Sequence, residues 1–322
     1  MPDNSTLSSP DNTGIRYPYV QIVMEIYVFQ KQDTLSFWFQ NIFSSIAVIL
    51  GITGNIMSFV VMLAPKLRNR SYSRFFIPLA VSDTVCLLVH SCTLVNMFYA
   101  HLQNRIIVHA SSTFSCILRE YAKLISVTYS GWILILLSLE RLCVVAFPFS
   151  GPRFWTATTA SVCVLVLFIC IFLSYTVIPL SVTYHTTYGC VITESGEAVY
   201  SLMGPILVYV VPVITVLALN IAILTILRRG IKTDKKDASS FKVLRMALGV
   251  CATFVLFTFT NAVLAPIVLK PEWRTKTLKI FAISNSLNTL NYALNFYLYL
   301  ITGQEFRRQF IRMFLCNINS TK

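Results

Sequence analysis

The chain has 322 residues, 56% of them hydrophobic and only 12% charged, with a formal net charge of +13. Soluble proteins carry about 25% charged residues, so this composition excludes an ordinary soluble domain and points to a protein that resides in lipid. The positive balance follows the loops between apolar runs, and is therefore read as a topology bias rather than as nucleic-acid binding.

A helix needs about 20 apolar residues to cross the hydrocarbon. Charge-poor runs of that length lie at 37–63, 75–99, 118–147, 154–180, 199–227, 242–269 and 278–300. They predict an all-α membrane protein, a seven-transmembrane helix bundle over 37–300, preceded by an N-terminal segment 1–36 and followed by 301–322. The N-terminus begins too polar for a cleaved signal peptide, so the first span is expected to act as an uncleaved anchor. Lys66, Arg68, Arg70 and Arg74 follow span one, Arg228, Arg229, Lys232, Lys235 and Lys236 separate spans five and six with Lys242 and Arg245 in the first turn of span six, and Arg307, Arg308 and Arg312 lie in the tail. Cytoplasmic loops collect Lys and Arg, so the N-terminus is expected outside, although the last outer segment, with Lys270, Arg274, Lys276 and Lys279, runs against that trend. Asn4-Ser5-Thr6 is then an outward-facing glycosylation sequon.

Span one carries Gly54-Asn55, and span two carries Asp83, the one ionisable carboxylate deep in any span. A buried carboxylate must be neutral, paired or cation-bound. Asn55, Ser130, Asn291 and Asn295 supply hydroxyl and amide groups, which suit either a monovalent ion such as sodium or a hydrogen-bonded packing network. His90 lies further out in span two. None of the four histidines has metal spacing or a nucleophile partner, so no enzyme is expected.

Span three opens with Cys116. With Cys190, it is one of two cysteines on the outer side, so a Cys116–Cys190 disulfide is expected over the bundle. Cys86, Cys92, Cys143, Cys163, Cys170 and Cys251 read as small core hydrophobes. Arg119 and Lys123 are four residues apart and share a face. They suit either an acidic ligand group or lipid headgroups, with Glu120 available as counter-charge. Span three ends in Glu140-Arg141, the only Asp, Glu, Lys or Arg residues between 124 and 152. Such a pair is cheap near an interface, and poised to change partners.

Span four is expected to end at Pro179 and span six before Pro266, while Pro212 and Asn220 interrupt span five. Span six places Asn261 at mid-depth, and span seven is rich in amides: Asn285, Asn288, Asn291 and Asn295, with Tyr299 a turn later. The three-then-four spacing of Asn288, Asn291 and Asn295 makes one polar stripe. Beyond it, Phe306, Phe310 and Phe314 recur every four residues among arginines, predicting a short amphipathic helix on the inner leaflet. Cys316 there is a candidate for palmitoylation or a plain thiol.

Gly54-Asn55, Leu79-Ala80-x-x-Asp83, Cys116, Glu140-Arg141-Leu142, Pro148, Cys190, Pro212, Phe257, Asn295-x-x-x-Tyr299 and Phe306-Arg307-Arg308 occur in one order. Together they resemble the rhodopsin-like (class A) G-protein-coupled receptors, and Asn261 and Phe296 at variant positions are similar to the FMRFamide-receptor-like peptide receptors. The resemblance implies agonist binding at the outer ends of the spans, with Arg119, Lys123, His90, Asn261 and Asn288 as candidate contacts. It implies a switch through Glu140, Arg141, Pro212, Phe257 and Tyr299, with Arg141 leaving Glu140 to meet a heterotrimeric G protein. An extracellular peptide, the G protein, arrestin and membrane lipid are the implied partners, at a plasma membrane.

Departures from the family pattern are specific. Gly131 stands where a bulky aliphatic residue packs between Pro212 and Phe257, and Val243 occupies the position of the acid that pairs with the arginine, so measurable ligand-free signalling is expected. Thr289 replaces the retinal lysine and Lys123 the amine-binding aspartate, which argues against a photoreceptor or an amine receptor. The competing readings are a chemosensory receptor for a small anion and an ion-coupled transporter centred on Asp83; no inverted repeat supports the latter.

Overall fold

The computed structural model describes residues 34–103, 112–148, 150–185, 189–193, 196, 204–230, 238–268 and 271–315. Lipid offers no hydrogen bonds to an open backbone, so the apolar runs close into helices. These are α1 (Thr34–Met62), α2 (Ser71–Gln103), α3 (Thr113–Ala146), α4 (Ala157–Ser174), α5 (Val211–Gly230) and α6 (Ala238–Val268). Each forms all or most of a stretch long and apolar enough to cross a membrane. The seventh crossing is made by α7 (Pro271–Ala293) and α8 (Asn295–Thr302), whose amides lower its apolar character. A final helix, α9 (Gln304–Phe310), leaves the bundle and continues as a wider turn over Ile311–Leu315.

Helix α3 is central, packing against α2, α4, α5 and α6, while α7 and α8 return to α1. Its start is capped by Ser112, which exchanges hydrogen bonds with Ser115, satisfying amides that open a helix. Helix α4 begins likewise, the Thr156 hydroxyl accepting from the Thr159 amide at 3.1 Å. Close approach of α1 to its neighbours requires a glycine. A Cβ on Gly51 would lie 2.5 Å from Leu87 Cδ1 and 2.8 Å from Ala293 Cβ.

Local irregularities have causes in the sequence. Pro212 has no N–H to bond one turn back, and just before it the chain widens into a π turn over Ile206–Val210. The Leu207 carbonyl there accepts the Trp132 indole N–H at 3.0 Å, tying α3 to the bulge. Between α4 and α5, strands β1 (Val182–His185) and β2 (Gly189–Ile192) form an antiparallel hairpin, with Tyr184 opposite Cys190. Gly303 makes the corner between α8 and α9, where a Cβ would lie 2.7 Å from both Met246 Sδ and the Tyr299 carbonyl.

The structure departs from several expectations. Helix α6 continues through Pro266 to Val268 instead of stopping before it, since a membrane helix tolerates proline where neighbours satisfy the freed carbonyl. The regular part of span four ends at Ser174, and Pro179 sits in the first turn of a separate one-turn helix, Ile178–Ser181. Cys92 and Cys170 are exposed on the outward surface of the helices rather than in the core, whereas Cys86 and Cys251 are buried. Their helical phase, not their residue type, decides this. Asn4 and Cys316 lie outside the described residues.

Candidate functional site

The core of the bundle carries polar side chains at three levels. At one end Cys116, the first cysteine of α3, is bonded to Cys190 of β2, with Cα atoms 5.4 Å apart. The hairpin is thereby pinned across the top of α3, and Thr113 Oγ1 accepts from the Tyr184 amide at 3.3 Å. One turn inward, Glu120 is bonded to Arg119 at 3.1 Å and lies 3.7 Å from the Lys123 ammonium. Its carboxylate therefore supplies the counter-charge for both cations, and all three belong to one helix. Further in, the Thr258 hydroxyl donates to Asn288 Oδ1 at 3.0 Å, joining α6 to α7. Thr289 Oγ1 lies 3.5 Å from His90 Nε2, joining α7 to α2. Asn261 is fully buried and reaches the Ser284 carbonyl at 3.5 Å through Nδ2. Its Oδ1 and the Ser284 hydroxyl are buried with no partner, and unpaired buried polar groups cost about 1–3 kcal/mol each.

At mid-depth the Asp83 carboxylate is fully buried. Ser130 Oγ donates to one oxygen and Asn295 Nδ2 to the other, each at 2.6 Å. Three helices, α2, α3 and α8, meet on this single group. Asn291 is buried one turn before Asn295, and Asn55 donates to the Tyr292 carbonyl at 3.0 Å. Ser130 and Asn295 thus meet on the carboxylate, Asn291 is buried a turn away, and Asn55 ties α1 to α7 instead. The donors fit a hard monovalent cation in kind, being carboxylate, hydroxyl and amide oxygens. Asn295, however, turns its NH2 to Asp83, so the network is closed by hydrogen bonds alone. Among the described residues no group of three His, Cys, Asp or Glu residues is placed to hold a metal.

At the opposite end Glu140 and Arg141 are both buried, and the guanidinium donates to the carboxylate through Nε and Nη2. Ser71, the first residue of α2, adds a hydroxyl donor to Glu140 Oε1 at 2.8 Å. The pair is therefore held across two helices rather than along α3 alone. Tyr299 is 1% exposed, its ring packed against Phe76 at 4.6 Å and Phe306 at 5.4 Å between centroids. Between these levels Asn220 Nδ2 donates to Ser138 Oγ at 3.2 Å, and that hydroxyl lies 3.3 Å from Cys251 Sγ. This clasp joins α3, α5 and α6. Sequence reasoning missed Ser138 and read Cys251 as a plain hydrophobe; the available signal was Asn220, a polar group in span five needing a partner one helix away.

The ring that faces Gly131 beside Pro212 is Phe254. A Cβ on Gly131 would lie 3.4 Å from Pro212 Cβ and 3.5 Å from Phe254 Cζ. Phe257, nominated for that contact, is half-buried most of a turn further along α6. The 3.6-residue phase of α6 carries Phe254, Thr258 and Asn261 inward instead.

The sequence model for the seven-transmembrane receptors of the rhodopsin family matches residues 54–299, more than half of the chain. The FMRFamide receptor of Drosophila melanogaster is 26% identical over 313 residues, covering 88% of this chain and 55% of that receptor. A Caenorhabditis elegans chain whose name assigns it to the G-protein coupled receptors is 25% identical over 311 residues, covering 83% of this chain and 71% of its own length. The chain therefore spans little more than half of the first relative. The pinned hairpin, a carboxylate shared by three helices, a buried Glu-Arg pair and all the apolar spans but most of the first lie on the matched segment, and the chain belongs to the rhodopsin family of seven-transmembrane receptors, multi-pass proteins of the plasma membrane.

Proposed function

We propose that this chain is a receptor for an extracellular neuropeptide that signals through heterotrimeric G proteins. The reading orients the Cys116–Cys190 end outside and the Glu140–Arg141 end in the cytoplasm. The observation that carries it is the buried Glu140–Arg141 pair, stapled by Ser71 at the end of the bundle opposite the disulfide. A buried ion pair contributes little net stability, but it can be exchanged for another partner. Similarity to the FMRFamide receptor supports the peptide class of ligand.

In this reading an agonist seats beneath the hairpin among His90, Arg119, Lys123, Asn261 and Asn288. It favours an arrangement in which α6 swings from α3, Arg141 leaves Glu140, and Tyr299 turns from Phe76 into the opened face. The ligand drives this only through its preference for the open form; taking a 1:99 mixture to 99:1 needs about 5.5 kcal/mol of such preference. Glu120 already neutralises Arg119 and Lys123, which weighs against a small-anion sensor. The Asp83 cluster has the oxygen donors for sodium if the Asn295 amide reverses, and a sodium-dependent loss of agonist affinity that disappears in Asp83→Asn tests that extension. Arrestin is a further expected partner at the opened face.

The test is a neuropeptide library screen on transfected cells with a promiscuous G protein and a calcium readout. A peptide response abolished by Arg141→Ala supports the reading. Uptake of labelled solute by cells lacking G proteins, without any peptide response, would replace it with a transporter.

A further inference from the structure

A cavity of about 460 Å³ lies where the turn after α1 meets α9, at the Glu140–Arg141 end of the bundle. That volume falls in the usual range for small-ligand sites. Lys66 and Arg70 enter its wall from the turn, and Arg308 and Arg312 from α9 and the wider turn that follows; Glu305 is the one acid in the lining. Glu305 is already bonded to Arg308 at 3.1 Å. Among the described residues, Lys66, Arg70 and Arg312 have no carboxylate partner.

Both walls are held from beneath. Leu67 is 3% exposed and seats the turn in the core, while stacked backbone bonds, from the Arg68 amide to the Ala64 carbonyl and from the Arg70 amide to Leu67, fix its path. On α9, Phe306 is buried and Phe310 packs on Phe296, so the helix cannot roll. Positions 305, 308 and 312 follow the helical repeat on the opposite face, which presents Arg308 and Arg312 together. Four cations facing one carboxylate in a fixed concavity repel one another unless an anion fills it.

We infer that this cavity is a binding site for a lipid headgroup carrying at least two phosphate monoesters, as in a phosphoinositide. A phosphate monoester carries about −1.5 to −2 charge at neutral pH, so two of them match the three uncompensated cations, whereas the single net charge of phosphatidylserine does not. A lipid source is favoured because exposed Leu63 and Ile311 lie on the segments that carry the cations, with exposed Ile301 on the last turn before α9, offering apolar surface for acyl chains. Clusters of Lys and Arg just inside a membrane span recognise such headgroups in general. The inference rests on the reading that the Arg141 end faces the cytoplasm, where these lipids reside.

The experiment uses the full chain, purified in detergent, and a fluorescent short-chain phosphatidylinositol bisphosphate followed by anisotropy. Wild-type protein should bind it, and Arg70→Ala combined with Arg312→Ala should weaken binding about 25-fold, about fivefold per cation. Lys66→Ala with Arg70→Ala gives the same reading from the turn alone, should the first pair purify poorly. Arg229→Ala, an exposed cation at the end of α5 outside the cavity, should leave binding unchanged. Free inositol trisphosphate competing as well as the unlabelled lipid keeps the phosphate site and assigns it a soluble occupant. Phosphatidylserine competing equally at matched charge, wild-type affinity in both pairs, or an equal loss in Arg229→Ala overturns the proposal. Tag accessibility on intact cells tests the orientation separately, so an inverted topology and a missing site are told apart.

Discussion

Removing the Ser138 hydroxyl should raise signalling in the absence of ligand. That hydroxyl accepts from Asn220 of α5 at 3.2 Å and lies 3.3 Å from Cys251 Sγ of α6, so Ser138→Ala deletes both cross-helix bonds at once. Bonds between membrane helices average about 0.6 kcal/mol each, giving about 1.2 kcal/mol for the two. If opening separates α5 and α6 from α3, the loss falls on the closed form alone. The open fraction should then rise about eightfold. Cys251→Ala removes one bond and leaves Asn220 on Ser138, so it should give about threefold. The double variant should match Ser138→Ala, because the shared atom is already gone. The assay is nucleotide exchange on purified G protein by ligand-free receptor membranes, normalised to receptor number. A Ser138→Ala receptor no more active than wild type, or a Cys251→Ala effect as large as that of Ser138→Ala, refutes the clasp. The same assay reads the expectation that Val243, in place of an acid, leaves wild-type activity above that of Arg141→Ala.

Three further outcomes follow from the geometry. Ser130→Ala strands one oxygen of the fully buried Asp83 carboxylate and should cost about 1–3 kcal/mol, whereas Asp83→Asn reverses the Ser130 bond, its new NH2 donating to the hydroxyl, and keeps an acceptor for Asn295, so it should cost less than about 1 kcal/mol; equal losses in the thermal unfolding of purified receptor sink this account. The same substitution at two glycines should have opposite signs. Gly51→Ala drives a Cβ into Leu87 and Ala293 and should lose about 1–3 kcal/mol, while Gly131→Ala meets only ordinary contacts and should gain up to about 1 kcal/mol of helix propensity, read by the same unfolding assay. Arg119→Ala and Lys123→Ala, made singly, should lower agonist potency at least tenfold if these cations contact the ligand; unchanged potency in both assigns them to Glu120 and the membrane surface alone.

What the sequence determined by itself was whatever depends on length, apolarity and order along the chain. Apolar runs of membrane length specify helices because lipid leaves the backbone no other partner, and the ordered set from Gly54 to Tyr299 specifies the family. The amphipathic helix was equally legible, since Phe306 and Phe310 repeat at the helical period. Tertiary structure alone decided which side chains meet. Periodicity does not say that Ser71 staples Glu140 across 69 positions, that Ser138 bridges Asn220 and Cys251, or that Glu120 takes both cations of its own helix. Helical phase placed Phe254 rather than Phe257 against Gly131, and turned Cys92 and Cys170 outward. Rotating a helix by a fraction of a turn exchanges buried and exposed faces while leaving composition, hydropathy and motif spacing as they were, so only the packed neighbours choose the phase.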